Sequence, residues 1–211
     1  MFSESMNTTK AALEHNGFEV YLCGSAAEAR ELFAREMLPS IEPQSVSYGD
    51  SETLKGTRIL EDLKANKKIL FIETFNMDQT GKERVKARRE ALSVDLFLTG
   101  SNAVTERGQI LNMDMTGNRV GGIVFGPRNV VLTVGKNKIV KDLEEGMKRI
   151  KTHCAPGNIK RHPNFQTPCQ KTGSCVNCSS DQRICNVWSI IEKCYPKRRI
   201  KVILIGEELG L

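Results

Sequence analysis

The stretch Gly100–Val140, GSNAVTERGQILNMDMTGNRVGGIVFGPRNVVLTVGKNKIV, decides how the rest of the chain is read. It sets short apolar runs, Gln109–Met113, Gly121–Phe125 and Asn129–Val134, between turns rich in Gly, Asn and Asp. The runs follow one another too closely for full helices, so this part reads as a meandering, mixed sheet. Three turns carry polar side chains: Ser101 and Asn102 with Thr105 and Glu106, then Asp114 through Arg119, then Gly135 through Lys138. Glycine and asparagine let the backbone turn sharply or approach a ligand closely. Turns at the ends of buried strands are where α/β proteins place their binding groups. A small-molecule site is expected here, with Ser101, Asn102, Gly117, Asn118, Arg119, Gly135, Asn137 and Lys138 as its ligand-binding candidates.

Two acids stand nearest these turns. Asp114, between Met113 and Met115, is the candidate for a positioned catalytic acid; the competing reading is an Asx-turn in which its side chain bonds the following backbone. Glu106 is the candidate for a base or nucleophile, against a plain solvated turn residue. Arg119 offers bidentate contact to a carboxylate or phosphate, and Lys138 a point charge to neutralise one. The target of this chemistry is a small anionic metabolite.

Upstream of this stretch, helix and strand patterns alternate. Ser3 or Ser5 caps a helix to Asn16, and Phe18–Cys23 is a short buried strand. A helix from Ala26, capped by Ser25, is expected to stop before Pro39. Ser45–Tyr48 is a strand, Arg58–Ala65 a helix and Lys68–Glu73 a strand; Thr80 opens a basic helix, and Asp95–Thr99 is the strand entering the central stretch. The alternation implies an α/β fold with a mostly parallel sheet flanked by helices. In VSYGDSETL, Val46–Leu54, the residues Gly49, Ser51 and Thr53 present backbone N–H groups and hydroxyls where a strand passes into a helix, a place that favours phosphate or carboxylate. The bland alternative is that Ser51 only caps that helix.

Downstream, Asp142–Lys151 reads as a helix. From His153 to about Ile184 the composition shifts to Cys, Pro, Gly, Asn and Ser, and apolar periodicity disappears. Val187–Cys194 then reads as a helix and Lys201–Ile205 as a strand returning to the sheet, which makes residues 153–185 an insertion within one domain spanning 1–211. Four of the seven cysteines, Cys169, Cys175, Cys178 and Cys185, fall in this insertion as C-x5-C-x2-C-x6-C. Thiolates at this spacing can hold an iron–sulfur cluster or a structural zinc ion, whose binding would supply the folding energy a core-poor loop lacks. Free or oxidised thiols are the third reading. Cys154 and His162 stand close enough in sequence to replace a ligand, whereas Cys23 and Cys194 belong to apolar contexts and read as core.

The central stretch, together with VSYGDSETL and the Cys-rich segment, resembles the lactate-utilisation (LUD) domain family in its short members, over nearly the whole chain. The resemblance implies a fold similar to the glucosamine-phosphate deaminase, ribose-phosphate isomerase and CoA-transferase group. It implies a place in bacterial oxidation of lactate or a similar hydroxy acid, with iron–sulfur oxidoreductase subunits as partners, and it puts Gly49, Ser51 and Thr53 on a site-facing loop. It implies no defined reaction. A free-standing enzyme acting on an acyl-CoA or phosphorylated metabolite through Asp114 or Glu106 is the alternative, and a zinc-stabilised binding module a third.

Composition narrows the classes. The 211 residues are 39% hydrophobic and 27% charged, ordinary for a globular protein with a sizeable core. No run approaches the roughly 18 apolar residues a membrane span needs. The first residues lack the basic start and apolar centre of a signal peptide, so the expected location is the cytoplasm. The net charge of +6 gathers at residues 82–89, 136–141, 148–161 and 197–201. These clusters read as solvated helix faces or an anion-binding surface; without the aromatic spacing of single-strand binders, nucleic acid is not the expected partner. No glycine-rich dinucleotide or P-loop motif occurs, and His15, His153 and His162 take no catalytic role.

Overall fold

A computed structural model describes residues 2–211. Ten strands form two sheets: β1 (Glu19–Cys23), β2 (Ser45–Tyr48), β3 (Leu70–Ile72), β4 (Leu96–Gly100), β5 (Ala103–Thr105), β6 (Ile110–Asp114), β7 (Asn129–Gly135), β8 (Ile139–Val140), β9 (Val187–Ile191) and β10 (Ile200–Ile205). The larger sheet is six-stranded and parallel throughout, in the order β1-β10-β7-β4-β2-β3. The smaller one, β8-β5-β6-β9, is mixed: β5 runs parallel to β8 and antiparallel to β6, and β6 antiparallel to β9.

The large sheet is buried on both faces, which is why β10 and β7 read as near-continuous apolar runs, interrupted only by Lys201 and Thr133 inside them, rather than as alternating ones. Alternate residues serve different layers. Val131, Ile203 and Ile205 pack with Ala29, Phe33, Leu54, Ile59 and Leu63 of the helices on one face. Val130, Leu132, Val202 and Leu204 face Met6 and Leu13 of the Glu4–His15 helix, together with Val104 and Ile110 of the small sheet. The other face of the small sheet, at Leu111 and Met113, packs on Ile150 and Cys154 of the helix behind it. The chain crosses between the sheets in two residues, Ser101 and Asn102. A Cβ at Gly100 would stand 2.3 Å from Ser51 Oγ, so only glycine lets β4 pass there.

Most of the expected elements are present, and five differ for definite reasons. The helix from Ala26 does not stop before Pro39 but runs to Ile41: a wide π turn over Phe33–Met37, in which Leu38 N–H donates to Phe33 O, shifts the register past the proline. The same device carries the helix from Leu143 beyond Lys151, past Pro156, to Lys160. The expected Arg58–Ala65 helix is preceded by a separate one, Glu52–Thr57, divided from it by Arg58 at φ +62°. Gly121–Phe125 is not a sheet run; Asn118–Val124 forms two helical turns. Val187–Cys194 is not a helix, because Val187–Ile191 pairs along the open edge of β6.

Candidate functional site

Strands β2, β4, β6 and β7 all end toward one cleft of about 570 Å³. Its far wall comes from the Gly81–Glu90 helix, and its roof from residues between Ile150 and Cys185. Clefts at the carboxyl ends of parallel strands are where such sheets take ligands. The turn after β2 is locally determined. Ser51 Oγ accepts from Leu54 N–H at 3.2 Å and caps the short Glu52–Thr57 helix. Gly49 lies beneath Arg119, where a Cβ would stand 2.9 Å from the Arg119 side chain and from Thr99 Oγ1.

The turn after β6 closes on itself. Arg119 Nε donates to Asp114 Oδ1 at 2.8 Å, and Val120 N–H donates to Asp114 Oδ2 at 2.9 Å, so Asp114 starts the Asn118–Val124 helix from the preceding strand. Arg119 Nη2 donates to Asn102 Oδ1 at 2.7 Å and to Met113 O at 3.0 Å. Asn102 Oδ1 also accepts from Met113 N–H, tying the turns after β4 and β6 together. The Asp114 and Arg119 side chains are only 7% and 12% exposed. Each carboxylate oxygen of Asp114 thus accepts one of these hydrogen bonds, and the side chain ties β6 to the helix that follows.

The turn after β7 is different. Lys138 is 4% exposed and lines the cleft, and its Nζ donates to Ser101 O at 3.2 Å. Among the described residues it has no carboxylate within ion-pair distance. Burial, with the positive charges of Arg149 and Arg119 nearby, pulls its pKa down to about 8. Beside it, Arg149 Nη1 donates to Asn102 O at 2.8 Å and to Cys154 Sγ at 2.7 Å. The expected neighbours Thr53, Gly135 and Asn137 do not reach the cleft. Thr53 Oγ1 donates to Leu209 O, Asn137 Nδ2 donates to Gly210 O, and Asn137 Oδ1 accepts from Leu209 N–H. Gly135 makes room for the same segment, with Leu209 N 2.8 Å from where its Cβ would be.

Ser51, Ser101, Asn102, Asp114, Asn118, Arg119, Lys138 and Cys185 line the cleft, so the central stretch does gather into one hollow. Gly117, at φ +81°, turns the chain into the Asn118 helix without lining it. Glu106 is corrected outright: it lies at the far end of the small sheet and accepts from Ser5 Oγ at 2.7 Å, because its turn packs on the Glu4–His15 helix. Sequence reasoning missed Asp50, Arg84, Arg88, Cys154 and Arg161. Asp50 and Glu52 pair with Lys55 and Arg161 on one wall, and although burial pushes the Asp50 carboxyl up, those cations hold it below its ordinary range. The lining as a whole carries five cations and three carboxylates.

The Cys-rich segment forms part of the roof. Cys169, Cys175, Cys178 and Cys185 surround one small hollow that shares Ala155, Ile184 and Cys185 with the cleft. All four are free thiols and half-buried. Arg183 holds the loop, donating to Cys178 O at 2.7 Å and Cys185 O at 2.9 Å. Burial pushes the Cys185 thiol up, with Arg183 opposing. Cys154 and His162 face the cleft and not this hollow, and Cys23 and Cys194 are buried core residues. Among the described residues no group of three or more His, Cys, Asp and Glu side chains stands arranged to hold a metal ion. Nor is any helix there long and apolar enough to cross a membrane.

Comparison with known proteins bears on the whole chain. A crystal structure of a DUF162 family protein from Deinococcus radiodurans superposes with a TM-score of 0.55, covering 96% of this chain and 97% of that one at 13% identity, a likeness of fold. A search of curated proteins gave no match. The family model for the LUD domain matches residues 6–205, nearly the full length, and the chain belongs to the LUD domain family.

Proposed function

We propose that this protein binds a small anionic metabolite in the cleft and serves as a component of a bacterial pathway that oxidises lactate or a similar hydroxy acid, alongside iron–sulfur oxidoreductase subunits. The observation that carries the binding reading is Lys138, an ammonium buried at the ends of the central strands without a counter-ion. Keeping such a charge dry is costly, and an anionic guest offsets that cost. Family membership supports the pathway. The alternative, a free-standing enzyme working through Asp114 or Glu106, has less support: Asp114 has both oxygens occupied, and Glu106 faces Ser5 away from the cleft.

The four cysteines belong to the same reading. Their thiols line one hollow and form no disulfide, a donor set that fits an iron–sulfur cluster or zinc once the loop tightens around it. A bound cluster supplies one-electron transfer; zinc would supply folding energy alone. Cys169, Cys175, Cys178 and Cys185 would hold either.

Two measurements test the proposal. Lactate and inorganic phosphate should raise the melting temperature of wild type and leave Lys138→Met unmoved; equal responses of the two proteins sink the cleft. Protein purified without oxygen should contain iron with visible absorption, or zinc without it. Loss of that metal from Cys175→Ser and Cys178→Ser assigns it to the loop, whereas metal-free wild-type protein ends the metal reading.

A further inference from the structure

The cleft is larger than a three-carbon hydroxy acid requires. At about 570 Å³ it lies in the range of roughly 300–1,000 Å³ that proteins use for drug- and cofactor-sized ligands. Its free positive charge is also divided between two places. One is Lys138, at the end of β7. The other is Arg84 and Arg88, one turn apart on the Gly81–Glu90 helix that follows the edge strand β3.

These two arginines are held but not neutralised. Arg88 lies over the Phe75 ring, 5.0 Å from its centroid, and its Nε is buried without a hydrogen-bond partner. Arg84 Nη1 donates to Gln79 O. On the same helix Lys86 pairs with Glu90, yet Arg84 and Arg88 have no carboxylate within ion-pair distance among the described residues. The nearest acid wall, Asp50 and Glu52, is already occupied by Lys55 and Arg161. The lining also has an apolar share, with Phe75, Met77, Met113, Met115 and Ile184. The sheet sets the scale: Lys138 Nζ reaches back to Ser101 O at the end of β4, and two inter-strand gaps, on the order of 10 Å, separate β4 from β3.

We propose that the ligand is elongated and two-ended, with a carboxylate at Lys138 and a phosphate at Arg84 and Arg88, joined by a mostly apolar middle. Paired guanidinium groups suit phosphate through parallel N–H donors, and a compact ammonium suits the end that is fully enclosed. This inference rests on the anion-binding reading of the cleft and names its ligand class.

Pantothenate and 4′-phosphopantothenate test it, because they share a terminal carboxylate and a chain of suitable length and differ only in the phosphate. Calorimetric titration should show wild type binding the phosphorylated compound roughly tenfold or more tightly, the value of one charge-assisted hydrogen bond. In Arg84→Gln/Arg88→Gln the two compounds should bind alike, whereas Lys138→Met should weaken both. Equal affinities in wild type, a preference that survives in the double variant, or silence of both compounds while lactate binds would overturn the two-ended ligand and leave the anion cleft standing. If lactate, inorganic phosphate and both pantothenates all fail to bind, the cleft reading falls with it.

Discussion

The turns after β6 and β7 open on the same cleft and treat buried charge in opposite ways. After β6, the Asp114 carboxylate meets Arg119 Nε and a backbone N–H, and Arg119 Nη2 meets Asn102 and Met113 O. After β7, the Lys138 ammonium has one carbonyl and, among the described residues, no counter-ion. In the turn after β6 the two charges neutralise one another and the hydrogen bonds fix their geometry. A buried cation without its anion keeps a standing cost that an anionic guest would offset. On the reading proposed above, the first turn serves as scaffold and the second receives the ligand's charge, although both read alike as Gly- and Asn-rich polar turns.

Breaking the closed turn should have the largest effect. Asp114→Asn leaves the Arg119 guanidinium buried and uncompensated, which should cost about 3–5 kcal/mol and lower Tm on the order of 10 °C. Removing both charges together, as Asp114→Asn/Arg119→Met, should cost clearly less than the sum of the two single changes. Denaturant titration of the four proteins measures this. Additive losses would mean that the pair is not a unit, and the contrast between the turns would dissolve.

Opening the other turn should act in the reverse direction. Lys138→Met removes a charge that the fold carries at a loss, so without ligand the variant should be more stable at pH 7. A fall in pKa from 10.5 to about 8 corresponds to roughly 3 kcal/mol at most, less whatever the bond to Ser101 O returns. The pH dependence follows with a definite sign. Between about 8 and 10.5 the unfolded chain still holds the lysine proton that the folded chain has lost, so the Lys138 contribution to stability rises with pH across that window. The difference between wild type and Lys138→Met should therefore shrink as pH climbs. Anion affinity should move the other way, falling through pH of about 8 as the ammonium is lost. A flat affinity profile between pH 7 and pH 9 would show that Lys138 does not meet the ligand.

The fold was more legible than the site. KVILI and DLFLT read as strands because strands buried on both faces are near-continuous apolar runs. NRVGGIV misled because nothing local marks it as a helix: its start is fixed by Asp114 from the strand before and its apolar run has no polar face. VWSII fits either period, and pairing with β6 decides it. At the site, polar residue type located the hollow but could not say what each group touches. Thr53 and Asn137 looked like ligand contacts and instead hold Leu209 and Gly210, partners far away in sequence. Arg84 and Arg88 looked like part of a solvated basic face, and only the position of β3 at the sheet edge turns them toward the cleft.

Ser51 offers the finest test of the contrast, because it belongs to both kinds of turn. Its hydroxyl accepts from Leu54 N–H as a helix cap, yet the residue also lines the cleft near Lys138. If capping is its whole role, Ser51→Ala should cost about 1 kcal/mol of stability and change anion affinity by no more than about twofold, a few tenths of a kcal/mol. If the hydroxyl also donates to the ligand, affinity should fall roughly tenfold with the same stability loss, since a charge-assisted bond disappears along with the cap. Measuring Tm and affinity on the one variant separates the two, because the cap contributes alike with and without ligand and a donor contributes only when the anion is there to accept.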